Sequence, residues 1–127
     1  MTITVLVVDD SKLARIVVGK AIAALQPDWT RVETGTAEDA LDVVASQQID
    51  VAILDFNMPD KDGLELATEL RAVHPNMPIA LITANVQDEI IARARSLNAT
   101  FVAKPVTPEG LNGFIAGAAL RLKKAGV

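Results

Sequence analysis

Asp9-Asp10, Asp55, Thr83 and Lys104 each follow directly on a short apolar run. The runs are Val5-Leu6-Val7-Val8, Val51-Ala52-Ile53-Leu54, Ile79-Ala80-Leu81-Ile82 and Phe101-Val102-Ala103. Carboxylates gathered in one place form a hard-oxygen site. Mg2+ takes one or two of them, keeps several waters and fills its shell with phosphate oxygens. Asp10 and Asp55 are candidate direct ligands, and Asp9 is a candidate holder of a coordinated water. A carboxylate can attack phosphorus and carry an aspartyl phosphate, which makes Asp55 a candidate nucleophile. A metal ion would offset charge on the attacking and leaving oxygens. The flexible point charge of Lys104 suits a phosphoryl oxygen, and the Thr83 hydroxyl can donate to another.

Each of these residues also has a plain structural alternative. Asp9-Asp10 can favour the start of a helix at Ser11. Asp55 can be a satisfied carboxylate in a turn, Thr83 a helix cap, and Lys104 a surface lysine. The Lys104-Pro105 bond can be cis, which would fix geometry at that tip.

For the chemical reading the tips must converge, and the chain alternates apolar runs with helical patterns as repeated βαβ units do. Strands are expected at Thr2–Val8, Thr30–Glu33, Asp50–Leu54, Ile79–Thr83 and Thr100–Ala103. The second is short and mixed, as an edge strand should be; the third is almost wholly apolar and should be central. The first helix carries Ala14, Val17, Val18, Ala21 and Leu25 at helical spacing and stops near Pro27. The second opens with Thr36 and Asp39 in a capping-box pattern. The loop Asn57–Gly63 is rich in turn formers. Asp62 with Glu65 can cap the third helix, whose inward face would be Leu66, Ala67, Leu70 and Val73 until His74-Pro75 ends it. Asn85 and Asp88 are candidate cap partners for the fourth helix, and Asn98 suits a left-handed helix end. Thr107-Pro108 opens the fifth, with Leu111, Phe114, Ile115, Ala118 and Leu122 inward. Gly113 and Gly117, four apart, are expected to mark close packing rather than a partner groove. Trp29 should cover the core edge, and His74 should be a solvated helix terminus. In an open α/β sheet, ligands bind beyond the carboxyl ends of the strands.

Composition agrees. A chain of 127 residues suffices for one domain, taken as residues 1–127. Half the residues are hydrophobic but only 3% aromatic, so the core must be aliphatic, which suits a buried parallel sheet. A net charge of −4 argues against direct binding to nucleic acid. The absence of cysteine excludes disulfides and thiolate metal sites. No apolar run approaches the roughly 20 residues that span a bilayer, so no membrane contact and a cytoplasmic location are expected.

With Asp9-Asp10, Asp55-Phe56-Asn57-Met58-Pro59, Asp62-Gly63, Thr83-Ala84 and Lys104-Pro105 in order, the chain closely resembles the receiver domain of two-component response regulators. It looks most like the stand-alone chemotaxis-type regulators. The resemblance runs from Val5 to about Leu122. It implies a flavodoxin-like, doubly wound, five-stranded parallel sheet of order 2-1-3-4-5 with five helices. It implies that Asp55 accepts phosphoryl from the phosphohistidine of a histidine kinase or phosphotransfer protein. Mg2+ would be held by Asp10, Asp55 and the backbone carbonyl of Asn57, with Asp9 acting through water. Thr83 and Lys104 would contact the phosphoryl group, and Ala84 matches the small residue kept where that group must fit. Phe101 falls at the switch aromatic, and here it lacks the hydroxyl of a tyrosine. Thr83 and Phe101 together would alter the surface of the fourth helix, fifth strand and fifth helix, where an output protein binds. Asn57 and Asn85 occupy the variable positions that tune hydrolysis. Such a chain is not an enzyme beyond its own phosphotransfer and dephosphorylation.

Two other classes compete. A metal-dependent phosphohydrolase working through an aspartyl phosphate typically needs an acid two residues after the nucleophile, where this chain has Asn57. An interaction module that never sees phosphate has no need of the three acids, Thr83 and Lys104. A flavin site is compatible with the fold, but fold alone does not assign function, and no glycine-rich phosphate loop follows the first strand.

Overall fold

A computed structural model of the chain describes residues 3–84 and 87–124. Five strands, β1 (Thr4–Val8), β2 (Thr30–Thr34), β3 (Val51–Asp55), β4 (Ile79–Thr83) and β5 (Ala99–Ala103), alternate with five helices. These are α1 (Lys12–Leu25), α2 (Ala37–Ser46), α3 (Gly63–Val73), α4 (Asp88–Ser96) and α5 (Pro108–Lys124). All strand pairs are parallel, and the order across the sheet is β2-β1-β3-β4-β5. This is the flavodoxin-like arrangement expected from the sequence. Among the described residues no helix is long and apolar enough to cross a membrane.

The alternation of side chains along each strand splits the aliphatic core in two. Leu6, Val8, Ala52, Leu54, Ile79 and Leu81 face α2, α3 and α4. Val5, Val7, Val51, Ile53, Ala80 and Ile82 face α1 and α5. Because both faces of β3 and β4 are covered, every residue in those strands is buried. Trp29, 8% exposed, joins the second cluster at the edge of the core, as anticipated.

Register places the strand ends level. Val8 lies opposite both Thr34 and Leu54, Asp55 opposite Ile82, and Thr83 opposite Ala103. The residues that follow β1, β3, β4 and β5 therefore emerge along one edge. This is the geometric condition that the motif residues required.

Helix ends show which local expectations hold. Ser11 caps α1 by accepting from the Ala14 amide, so capping there falls to Ser11, not to Asp10. Thr36 accepts from the Asp39 amide (3.1 Å), and Asp62 accepts from the Glu65 amide (2.8 Å). Thr107 accepts from the Gly110 amide (3.0 Å). Asn98 adopts a left-handed φ of 55° after α4, and the Lys104-Pro105 bond is cis. His74 is the C-cap of α3, its amide bonded to the Leu70 carbonyl at 2.7 Å.

Five expectations need correction. Val73 is 65% exposed; the core beyond Leu70 is closed instead by Met77, buried in the same cluster. Val17 is 41% exposed, while Ile22 is wholly buried. At about 100° per residue Val17 lies at the margin of the stripe centred on Val18, and Ile22 lies inside it. Asp50 precedes β3 rather than opening it. Its carboxylate accepts from the Thr4 amide (2.9 Å) and from Gln48 Nε2 (3.0 Å). Gly113 and Gly117 do not mark close packing: both are exposed, and an added Cβ would meet nothing within 4 Å. They lie on the solvent side of α5, away from Phe114, Ile115 and Ala118. Asp88 is the first residue of α4, and the N-cap, Gln87, makes no side-chain capping bond; Asn85 lies outside the described residues.

Candidate functional site

At the shared strand edge Asp9, Asp10 and Asp55 each offer a carboxylate oxygen, and these lie within 4.8 Å of one another. Asp9 and Asp55 are only 4% and 3% exposed, whereas Asp10 faces solvent. Lys104 reaches in from the end of β5 and places Nζ 2.8 Å from Asp55 Oδ1. That contact is an ion pair, and a carboxylate oxygen carries a second lone pair, so the buried oxygen retains acceptor capacity. Thr83 ends β4 fully buried, and its carbonyl accepts the Lys104 amide at 3.0 Å, joining the tips of β4 and β5. A recess of about 470 Å³ lined by Asp9, Ala14, Ile82, Ala84, Lys104, Pro105 and Val106 opens beside them.

The acids are held where mutual repulsion is felt. Burial raises the Asp9 pKa above the ordinary carboxylate value. The nearby charges of Asp55 and Asp10 push it the same way, against the Ser11 amide and Lys104. Lys104 shows the complementary effect. Burial disfavours its ammonium, but attraction to Asp55, Asp9 and Asp10 prevails, and its pKa lies above the ordinary lysine value. Three carboxylates thus face one ammonium, with two negative charges uncompensated. A buried carboxylate oxygen with spare acceptor capacity, an all-oxygen donor set and this charge deficit fit a hard divalent cation.

Backbone around Asp55 is crowded. A Cβ at Gly63 would lie 2.5 Å from the Asp55 carbonyl oxygen and 2.6 Å from Leu81 Cδ1. The Gly63 amide meanwhile bonds the Phe56 carbonyl at 2.8 Å. This explains physically why glycine stands in Asp62-Gly63. Asn57 sits exposed in that loop, two residues after Asp55, between Phe56 and Met58, which both pack on the core.

The structure therefore gathers Asp9, Asp10, Asp55 and Lys104, with Thr83 at the adjoining tip. Phe101 is separate: it is half-buried in β5, opposite Leu81.

Three supporting residues escaped the sequence reading. Arg15, one turn into α1, donates to the Asp9 carbonyl (2.6 Å) and pairs with Glu33 (3.1 Å). Its spacing from Ser11 marks a helix face but carries no sign of Glu33. Asp60, read as a turn former, accepts from the Ala37 and Glu38 amides at the start of α2 (3.1 and 2.9 Å). Those bonds hold its carboxyl below the ordinary value. Arg71 donates to the carbonyls of Leu97 (2.9 Å), Pro75 (2.9 Å) and Met77 (2.7 Å), and more loosely to those of His74 and Asn98. A lone arginine in an amphipathic helix gives no hint of such a role.

A five-stranded parallel sheet with an acid trio and a lysine at its carboxyl edge defines a receiver-type signalling domain. The family model for the response regulator receiver domain matches residues 5–116, and the chain belongs to that family. It is 36% identical over 114 residues to the cyclic di-GMP phosphodiesterase response regulator RpfG of Xanthomonas campestris pv. campestris, covering 86% of this chain and 30% of that protein. It is 40% identical over 111 residues to a protein-glutamate methylesterase/protein-glutamine glutaminase of Methylobacillus flagellatus, covering 83% and 30%. The chain thus spans about a third of the length of these relatives. Among solved structures, the chemotaxis response regulator CheY4 of Vibrio cholerae superposes with a TM-score of 0.81 at 25% identity, covering 93% of this chain and 99% of that one. The BeF3-activated DrrB receiver domain superposes with a TM-score of 0.78 at 27% identity, covering 94% and 98%. Receiver domains act in phosphorylation-dependent signalling, between histidine kinases and output domains, and bind Mg2+ at an acidic pocket.

Proposed function

We propose that this chain is a phosphorylation switch in which Asp55 is the acceptor. The observation that carries the reading is the trio of carboxylates within 4.8 Å with Lys104 Nζ 2.8 Å from Asp55 Oδ1. In the transfer, an Asp55 carboxylate oxygen attacks phosphorus of a phosphohistidine on a kinase or phosphotransfer protein. The new O–P bond forms as the N–P bond breaks, and the imidazole leaves with the electron pair. Mg2+ would be held by Asp10, Asp55 and the Asn57 carbonyl, with Asp9 reaching it through water, and would supply charge neutralisation for the transferring oxygens. Lys104 exchanges its contact with Asp55 for one with a phosphoryl oxygen, and Thr83 donates its hydroxyl to another. The phosphoryl group adds roughly two negative charges. Thr83 moves towards it, Phe101 follows into the space vacated, and the surface of α4, β5 and α5 changes for an output protein.

Leu13 at 71% exposure, Ile16 at 41% and Val17 at 41% lie on the first turns of α1, the helix that begins directly after the acid pair. They support a protein rather than a small metabolite as the phosphoryl donor. Asn57, where a phosphohydrolase needs an acid, supports self-limited phosphotransfer over turnover of external phosphoesters.

The test is phosphorylation by acetyl phosphate with Mg2+, read by intact mass. Wild type gains one acid-labile phosphoryl group and Asp55→Asn gains none. Label retained in Asp55→Asn, or sustained hydrolysis of phosphomonoesters by wild type, overturns the assignment.

A further inference from the structure

A cation held by groups from two loops needs those loops fixed to a common reference. Here one segment, the end of β2 and the start of α2, touches both. On the Asp9 side, the Asp9 amide bonds the Thr34 carbonyl at 3.1 Å. Arg15 spans the Asp9 carbonyl and Glu33 and lies 3.6 Å from where a Gly35 Cβ would stand. On the Asn57 side, the connection is the Asp60 carboxylate on the Ala37 and Glu38 amides. The two bonds come from different oxygens, Oδ1 and Oδ2, so the carboxylate is fixed in orientation as well as position. Pro59, directly before Asp60, stiffens the chain between that anchor and Asn57.

We propose that Asp60 is a positioning residue for the metal centre. By capping α2 from the β3–α3 loop, it ties the segment carrying Asn57 to the same turn that holds Asp9. This rests on the functional reading above, in which the Asn57 carbonyl is a metal ligand. Asp60 touches neither the metal nor the phosphoryl group; it acts through the loop backbone. Thr36 provides a built-in contrast. Its hydroxyl caps the same helix through the Asp39 amide, yet it belongs to α2's own approach and ties down nothing beyond it.

The experiment compares Mg2+ affinity, by calorimetric titration, in wild type, Asp60→Ala, Asp60→Asn and Thr36→Ala. Amide hydrogen exchange of residues 56–60 is measured in the metal-free proteins. Asp60→Ala should weaken Mg2+ binding on the order of tenfold, the low end for outer partners of a metal ligand, and speed exchange across 56–60. Asp60→Asn, which keeps only one of the two capping oxygens, should fall between wild type and Asp60→Ala. Thr36→Ala should lose melting temperature but keep its Mg2+ affinity. Equal affinities in wild type and Asp60→Ala, or equal losses in Asp60→Ala and Thr36→Ala, overturn the proposal. A wild-type protein that binds no Mg2+ sinks the metal reading instead; unchanged exchange across 56–60 in Asp60→Ala would then reject the loop tie separately.

Discussion

The two edges of the sheet both gather charged side chains, and they treat them in opposite ways. At the amino edge the Arg71 guanidinium meets carbonyls from the α3–β4 connection and the end of α4. Burial and the neighbouring Arg121 lower its pKa, but its donors are spent on the fold. At the carboxyl edge three carboxylates share one ammonium, and a buried oxygen of Asp55 keeps spare acceptor capacity. A polar group whose bonds are all made inside the chain stabilises; one left short of partners is ready for a ligand. The contrast separates structural charge from functional charge without reference to any motif.

The sharpest way to break this contrast is at the amino edge. Arg71→Met strands several carbonyls and should lower the unfolding free energy by roughly 3 kcal/mol in urea denaturation, while leaving Mg2+ affinity unchanged. A matching loss of Mg2+ binding would show the two edges to be coupled.

At the carboxyl edge the expected effect is slightly smaller and depends on metal and pH. Mg2+ at a hundredfold excess over its dissociation constant should stabilise the protein by about 2.7 kcal/mol. Because the Asp9 pKa is raised in the folded state, the metal-free fold binds that proton more tightly than the unfolded chain does. Its contribution to stability is complete below the unfolded value near 3.8 and is lost as pH rises through the folded value. The shift in melting temperature caused by Mg2+ should therefore grow over the same window. A shift that is flat with pH would remove Asp9 from the metal's surroundings. Lys104 acts later: its raised pKa adds stability that disappears only as pH rises through the lysine range.

The smallest effect should come from a face that serves neither edge. Gly113→Ala fills open space on α5 and should raise stability by about 1 kcal/mol, with no change in phosphorylation by acetyl phosphate. Slowed phosphorylation would mean that α5 flexibility reaches the crevice.

What was legible in the sequence divides along the same physical line. Short-range rules worked well: Asp62, Thr36 and Thr107 cap within their own first turn, and Asn98 takes the left-handed position. The parallel sheet and the convergence of Asp9, Asp10, Asp55 and Lys104 followed from apolar runs that end in polar residues. Asp60 and Arg15 were missed because their partners lie far along the chain, at Ala37, Glu38 and Glu33, and no local pattern encodes such pairings. Val73 and the glycine pair of α5 misled because periodicity tells which residues share a helix side, not how far the neighbouring layer extends. Asp50 stands one residue before β3: its amide bonds the Thr4 carbonyl, while its carboxylate accepts from the Thr4 amide and Gln48, a side-chain role that strand periodicity does not encode.

The uneven exposure of the acid trio also bears on rates. Asp10 meets solvent while Asp9 and Asp55 do not, so an arriving ion can exchange its hydration shell one oxygen at a time without any part of the chain unfolding. On the proposed metal reading, loading and unloading would then need no breathing of the protein.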